Sequence, residues 1–115
     1  MSVKRAHSND RMSELVVHGD TVYLAGQVAL SAPGAAVADQ TAAILKQIDE
    51  LLAEAGTDKS NLLSATIWLA DMASFGEMNE IWDPWAKDAP PVRACVEAKL
   101  AAPQFTVEIM VVGAK

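Results

Sequence analysis

The spacing of apolar residues switches back and forth along this chain between the period of a strand and that of a helix, and this switching sets the fold class. From Val37 to Ala55, the residues Ile44, Leu45, Ile48, Leu51, Leu52 and Ala55 fall on one face of a helix. A strand would scatter them over both faces, because its side chains alternate. Gly56 stands where a helix end accepts a left-handed residue. After a polar connection over residues 57–61, Leu62 to Ala70 returns to alternation. Leu63, Ala65, Ile67 and Leu69 are expected on one side, and Ser64, Thr66 and Trp68 on the other. Asp71 to Trp85 reads as a second helix, with Phe75, Met78, Trp82 and Trp85 as its apolar stripe. Pro84, which lacks an N–H and crowds the preceding turn, is expected to kink or end it.

Strands flank these helices. Leu15-Val16-Val17 and Val22-Tyr23-Leu24 enclose Gly19-Asp20, a pair suited to a two-residue hairpin turn. Ser31 to Gly34 reads as a loop. Near the end of the sequence Val92–Lys99 and Phe105–Val112 both alternate, the first entered through the extended Ala89-Pro90-Pro91. The predicted order is β-β-α-β-α-β-β, an α+β sandwich with helices on one face of a sheet. The other face, carrying Trp68, Met110 and Val112, would be an apolar patch in a lone subunit, which predicts an oligomer. The 115 residues read as one domain. Residues 1–12 are polar and read as a flexible or partner-bound end.

Composition removes several functions. Fifteen acidic against nine basic side chains give a net charge of −6, the wrong balance for tracking nucleic-acid phosphates. No segment approaches the ~20 apolar residues of a membrane helix, and the opening MSVKRAHSND has no apolar run of the secretory kind. Cys95 is the lone cysteine, which fits a reducing, cytoplasmic setting. His7 and His18 stand apart from any Asp, Glu or Cys cluster, so no metal site is expected.

Chemistry concentrates in the last two strands. Val92, Ala94, Val96 and Ala98 are expected to face the core, and Arg93, Cys95, Glu97 and Lys99 to face away. A guanidinium on a stiff strand makes a bidentate receptor for a carboxylate, or else a partner for Glu97 on the same face. Glu108 interrupts an almost wholly apolar strand, Phe105 to Val112, and is either a proton-transfer group or an interface ion-pair member. Cys95 has no nearby His and reads as a small hydrophobe whose backbone could still meet a ligand. Gly26-Gln27 marks a bulge or a close backbone approach. Trp82 and Trp85 read as core or interface, and Asn79 as reaching a loop or solvent.

These motifs together resemble the RidA/YjgF family, the reactive-intermediate deaminases. Val22-Tyr23-Leu24-Ala25-Gly26-Gln27 is similar to its second-strand signature, and Gln40-Thr41 to its helix-opening pair. Asp71, Phe75 and Met78-Asn79 match its D-x-x-x-F-x-x-M-N segment. Pro91-Val92-Arg93-Ala94-Cys95-Val96 and Val107-Glu108-Ile109 match its two closing signatures. The matches run in order over residues 14–113.

The resemblance implies a chorismate-mutase-like fold of the bacillus type, assembled as a homotrimer with inter-subunit clefts. It implies hydrolysis of enamines and imines such as 2-aminoacrylate and 2-iminopropionate to 2-oxo acids and ammonia, without metal or organic cofactor. By the same resemblance Arg93 clamps the substrate carboxylate and the backbone of Cys95 contacts substrate. Glu108 orients or activates water, and Gly26 and Asn79 line the cleft. Ala25 replaces the family's usual serine, and Met12 falls near its usual N-terminal aromatic. These departures keep two alternatives open: a deaminase for a different substrate, or a non-catalytic binder of small carboxylates.

Overall fold

A computed structural model describes residues 1–115. Six strands and two α-helices run in the order β1 (Val3–Ser8), β2 (Ser13–His18), β3 (Thr21–Leu24), α1 (Val37–Glu54), β4 (Leu62–Leu69), α2 (Phe75–Ala86), β5 (Val92–Glu97) and β6 (Val107–Ala114). They build one sheet of order β1-β2-β3-β6-β4-β5. Only β4 and β5 pair in parallel, and α2 supplies the crossover that a parallel pair requires. The α+β architecture matches the expectation, with one strand more. Gly19 in the hairpin turn and Gly56 after α1 both have positive φ, 62° and 84°, where a Cβ would be strained.

One core joins Ile44, Ile48 and Leu52 of α1, Val22, Ile67 and Ile109 of the sheet, and Met78 and Trp82 of α2. Each such side chain contributes roughly 1.5–3 kcal/mol on burial. Gln40 is fully buried and satisfied: its amide donates to Ala35 O and Gln104 O and accepts from Thr106 N. It thereby ties the loop before β6 to the start of α1.

Several expectations are corrected. Residues 1–12 are not a loose end: β1 pairs antiparallel with β2 from Val3↔His18 to Ser8↔Ser13. Its sequence VKRAHS lacks an apolar face because β1 is an edge strand, where charge discourages further pairing. His7 Nε2 lies 2.8 Å from Glu54 Oε1 and pins this edge to the end of α1. Leu63 is half exposed because the β4–β6 register shifts between Leu62 and Ser64, and Leu62 takes the inner position instead. Pro84 does not end α2, which runs on to Ala86.

The faces of β5 are the reverse of those expected. Arg93, Cys95 and Glu97 pair with Ala65, Ile67 and Leu69, whose side chains are buried beneath the helices. Val92 and Val96 are 73% and 48% exposed and belong to the open face. On that face the ladders align Tyr23, Val112, Ser64 and Val92 in one row, then Met110, Thr66 and Ala94, then Glu108, Trp68 and Val96. The alternation expected of β5 is present, with its two sides exchanged. On an edge strand with neither face fully buried, both rows can be partly apolar, and the pattern loses its sense of inside and outside.

Candidate active site

The first group of site residues gathers where β5 passes beside α2. Arg93 Nη1 donates to Asn79 Oδ1 at 2.8 Å. Its Cζ lies 5.6 Å from the ring centroid of Phe75 and 5.5 Å from that of Trp82. Phe75, Asn79 and Trp82 stand at i, i+4 and i+7 of one helix, so they share a face. The alternative pairing of Arg93 with Glu97 does not form. Glu97 Oε1 instead accepts from Met72 N at 3.0 Å, at the turn preceding α2. The one ion pair within 4.0 Å in the chain is that of His7 and Glu54, so Arg93 has no carboxylate partner.

Cys95 follows on the same face, opposite Ile67, and packs partly against the core. Burial pushes its thiol above the ordinary value, and the positive charge of Arg93 offsets only part of that. At neutral pH this is a protonated thiol, which agrees with the sequence reading of a small hydrophobe rather than a nucleophile.

The second group lies where the segment after β3 crosses β6. Gln27 N donates to Ile109 O at 2.8 Å and Ile109 N to Gln27 O at 3.0 Å, which lays Gly26 against Glu108. A Cβ built on Gly26 would stand 2.1 Å from Glu108 Oε2, so a side chain there would displace the carboxylate. Gly26 is the close backbone approach that its sequence position suggested. The side chain of Gln27 is buried, donating to Glu14 Oε2 at 2.8 Å and to Ala25 O at 3.0 Å. Its Oε1 accepts from Gln47 Nε2 at 3.1 Å. A buried amide with every group engaged is rigid, and here it fixes the segment that touches Glu108. The sequence marks Gln27 only as part of a bulge or close approach, and Phe75 and Trp82 only as an apolar stripe; the i, i+4, i+7 spacing of Phe75, Asn79 and Trp82 is the available signal for the trough.

The two groups do not meet within one chain. Glu108 pairs with Trp68 on the open face, whereas Arg93 pairs with Ala65 on the helix face. The sheet itself separates them. Five hollows on the surface of the chain include none of Arg93, Cys95, Asn79, Gly26 or Glu108 in their linings.

A family model described as endoribonuclease L-PSP matches residues 3–115. A solved YjgF-family structure from Neisseria meningitidis is 42% identical, with a TM-score of 0.95, covering 100% of this chain and 96% of that one. The chain belongs to the RidA/YjgF family. Its sheet and two helices are the chorismate-mutase-like fold of that family. Among RidA/YjgF relatives, a RutC family protein of Haemophilus influenzae is 42% identical over 114 residues, 98% of each chain. A mouse protein named 2-iminobutanoate/2-iminopropanoate deaminase is 35% identical over 103 residues, 84% of this chain and 76% of that protein. No helix is long and apolar enough to cross a membrane.

Proposed function

We propose that this chain hydrolyses short 2-imino acids, and their enamine tautomers, to 2-oxo acids and ammonia, in the cytoplasm and as a homotrimer. The observation that carries the reading is the unpaired guanidinium of Arg93. It spends one donor on a neutral amide and has no acid within 4.0 Å, a geometry open to an incoming carboxylate. The mouse relative's name supports the imine as the group attached to that carboxylate.

The chemistry needs little beyond placement. An imine carbon is electrophilic already. Arg93 holds the substrate carboxylate, water adds to the C=N carbon, and Glu108 takes the water's proton and passes it to nitrogen. The carbinolamine hydroxyl then gives its proton, through Glu108, to the amine nitrogen; C=O forms as the C–N bond breaks, and ammonia leaves the 2-oxo acid. Atoms balance with one water consumed, and no covalent enzyme intermediate forms. Since Arg93 and Glu108 face opposite sides of one sheet, the working cleft joins the Arg93 group of one subunit to the Glu108 group of its neighbour. The apolar open-face rows supply the surface that draws the copies together. The net charge of −6 favours this small-molecule reading over an RNA-cutting one.

The test is 2-iminopropionate hydrolysis, with the imine made by an amino-acid oxidase and the remainder trapped by semicarbazide. Arg93→Ala and Glu108→Gln are each expected to return to the enzyme-free rate. Co-expressed in equal amounts, the two variants should regain activity in about one cleft in four, because a cleft needs an intact Arg93 and an intact Glu108 from different chains. Wild type indistinguishable from the blank refutes the proposal. Full loss without recovery in the mixture refutes the shared cleft. A second reading, binding without turnover or turnover of a bulkier imine, is favoured by Ala25 and Met12 at cleft positions of the family pattern. It predicts carboxylate binding by wild type with no faster loss of 2-iminopropionate.

A further inference from the structure

A guanidinium on an exposed side chain is useful as a receptor only if something aims it, and the surroundings of Arg93 show what does. Phe75 and Trp82 lie seven residues apart on α2, about 10.5 Å along the helix axis. With Cζ 5.6 Å from one ring centroid and 5.5 Å from the other, the guanidinium sits between them. Asn79, on the turn between, accepts from Nη1 at 2.8 Å. We propose that Phe75, Asn79 and Trp82 form an uncharged trough that orients Arg93, so that its free Nε–H and Nη2–H edge becomes the carboxylate-receiving face. The inference rests on the carboxylate-binding reading of Arg93 and adds the residues that give that reading its geometry.

Two features single out orientation from mere packing. The trough is neutral, and aromatic faces attract a cation without competing for its N–H donors as a carboxylate would. The acids nearby are also engaged elsewhere. Glu97, on the face of Arg93, accepts from Met72 N; Glu77, on α2, accepts from Ala38 N at 2.9 Å; Asp71 accepts from Ala73 N at 2.9 Å. Each satisfies a backbone N–H at a helix or turn start, where a negative charge is stabilised. The guanidinium therefore keeps its charge uncompensated. Because Asn79 occupies Nη1, the fork left open is the side-on pair, which receives both carboxylate oxygens in one plane. The three trough residues position Arg93; none needs to touch the imine.

Asn79→Asp is the informative variant, because it installs a carboxylate against Arg93 without changing size. Asn79→Ala is run beside it, because a new carboxylate would compete for the Arg93 donors whatever the amide does, and packing alone predicts normal binding by Asn79→Ala. The orienting trough predicts KM and the dissociation constant of 2-oxobutanoate raised in both variants, about tenfold or more in Asn79→Asp, with kcat little altered and the melting temperature of Asn79→Asp unchanged or raised. Phe75→Leu, at an exposed position, should raise KM about threefold, and Trp82→Phe should preserve it. Asn79→Ala with wild-type KM and ligand affinity overturns the inference and leaves the proposed function standing, provided Arg93→Ala still abolishes binding. Parallel loss of kcat and melting temperature also overturns it, in favour of a structural role. Wild type that neither binds 2-oxobutanoate nor hydrolyses the imine overturns both.

Discussion

Replacing Gly26 by alanine separates what holds the fold from what places the carboxylate. The added Cβ would lie 2.1 Å from Glu108 Oε2, 3.1 Å from Cδ and 3.4 Å from Cγ. Ordinary contact requires the oxygen to withdraw by about 1 Å. The atom struck is the far end of a flexible side chain, so the chain relieves the clash by turning Glu108 rather than by moving backbone. An off-rotamer side chain costs about 0.5–1.5 kcal/mol, which for a domain of this size lowers the melting temperature by only a few degrees, on the order of 5 °C. The chemical step is far less tolerant, because a displacement of ~1 Å in a reacting group can cost about 100-fold in rate. Gly26→Ala should therefore melt nearly as wild type does, while kcat for 2-iminopropionate falls by about 10- to 100-fold and affinity for 2-oxobutanoate, set at Arg93, stays within about twofold. Thermal melts, steady-state kinetics and calorimetric titration on one preparation read all three. Unchanged kcat would refute the role of the Gly26–Glu108 contact. Loss of ligand affinity in proportion to kcat would refute the division of labour between the two groups.

Cys95→Ser should retain turnover, and iodoacetamide should label Cys95 slowly at neutral pH, faster only above the ordinary thiol range, because burial holds the thiol protonated. The folded-state value is raised, so the stability that the partly buried neutral thiol contributes is present at and below neutral pH and is lost as pH rises through the folded value; an alkaline melt series on wild type and Cys95→Ser measures the difference. Val96→Glu places a charge on the open-face row, where Val96 is 48% exposed in the single chain. Circular dichroism should be unchanged, but burying an unpaired charge between subunits costs about 3–5 kcal/mol, so light scattering should find monomer for the variant and the proposed trimer for wild type. A wild-type assembly state for Val96→Glu would place the interface elsewhere.

The legibility of this chain follows burial. Where one face is fully buried, as in α1 with Ile44, Ile48 and Leu52, the sequence pattern gives the element and its inward side together. Where neither face is dry, pattern gives less. β1 carries no apolar row, so nothing in VKRAHS distinguishes an edge strand from a loose end. In β5 the alternation is plain, but Val92 and Val96 look like core residues although they stand exposed on the open face, an apolar surface of the kind that partners cover. Leu63 was misplaced for a different reason: a bulge adds one residue, and no local residue type announces it. Among site residues, Arg93, Glu108 and Gly26 stood out because a charge or a glycine is out of place in an apolar strand or at its end. Gln27 and Trp82 did not, since a buried amide that is fully bonded and a tryptophan in a core look like packing from the sequence.

If the proposed function holds, the alternation of β5 couples assembly to ligand binding. Its even positions, Val92, Ala94 and Val96, lie on the open face, and its odd positions, Arg93, Cys95 and Glu97, lie toward α2. A slip of one residue in the β4–β5 register would turn Arg93 into the interface and a valine toward the trough. Pro90 and Pro91 stiffen the entry to the strand, and Cys95 opposite Ile67 gives the register a buried anchor. On the proposed reading, the residue that binds substrate and the residues that bind the neighbouring chain are thus set by the same backbone ladder. The same reading explains why the arginine sits on an edge strand. Only there can one side chain lean back on its own helix while its strand borders the subunit that brings the glutamate.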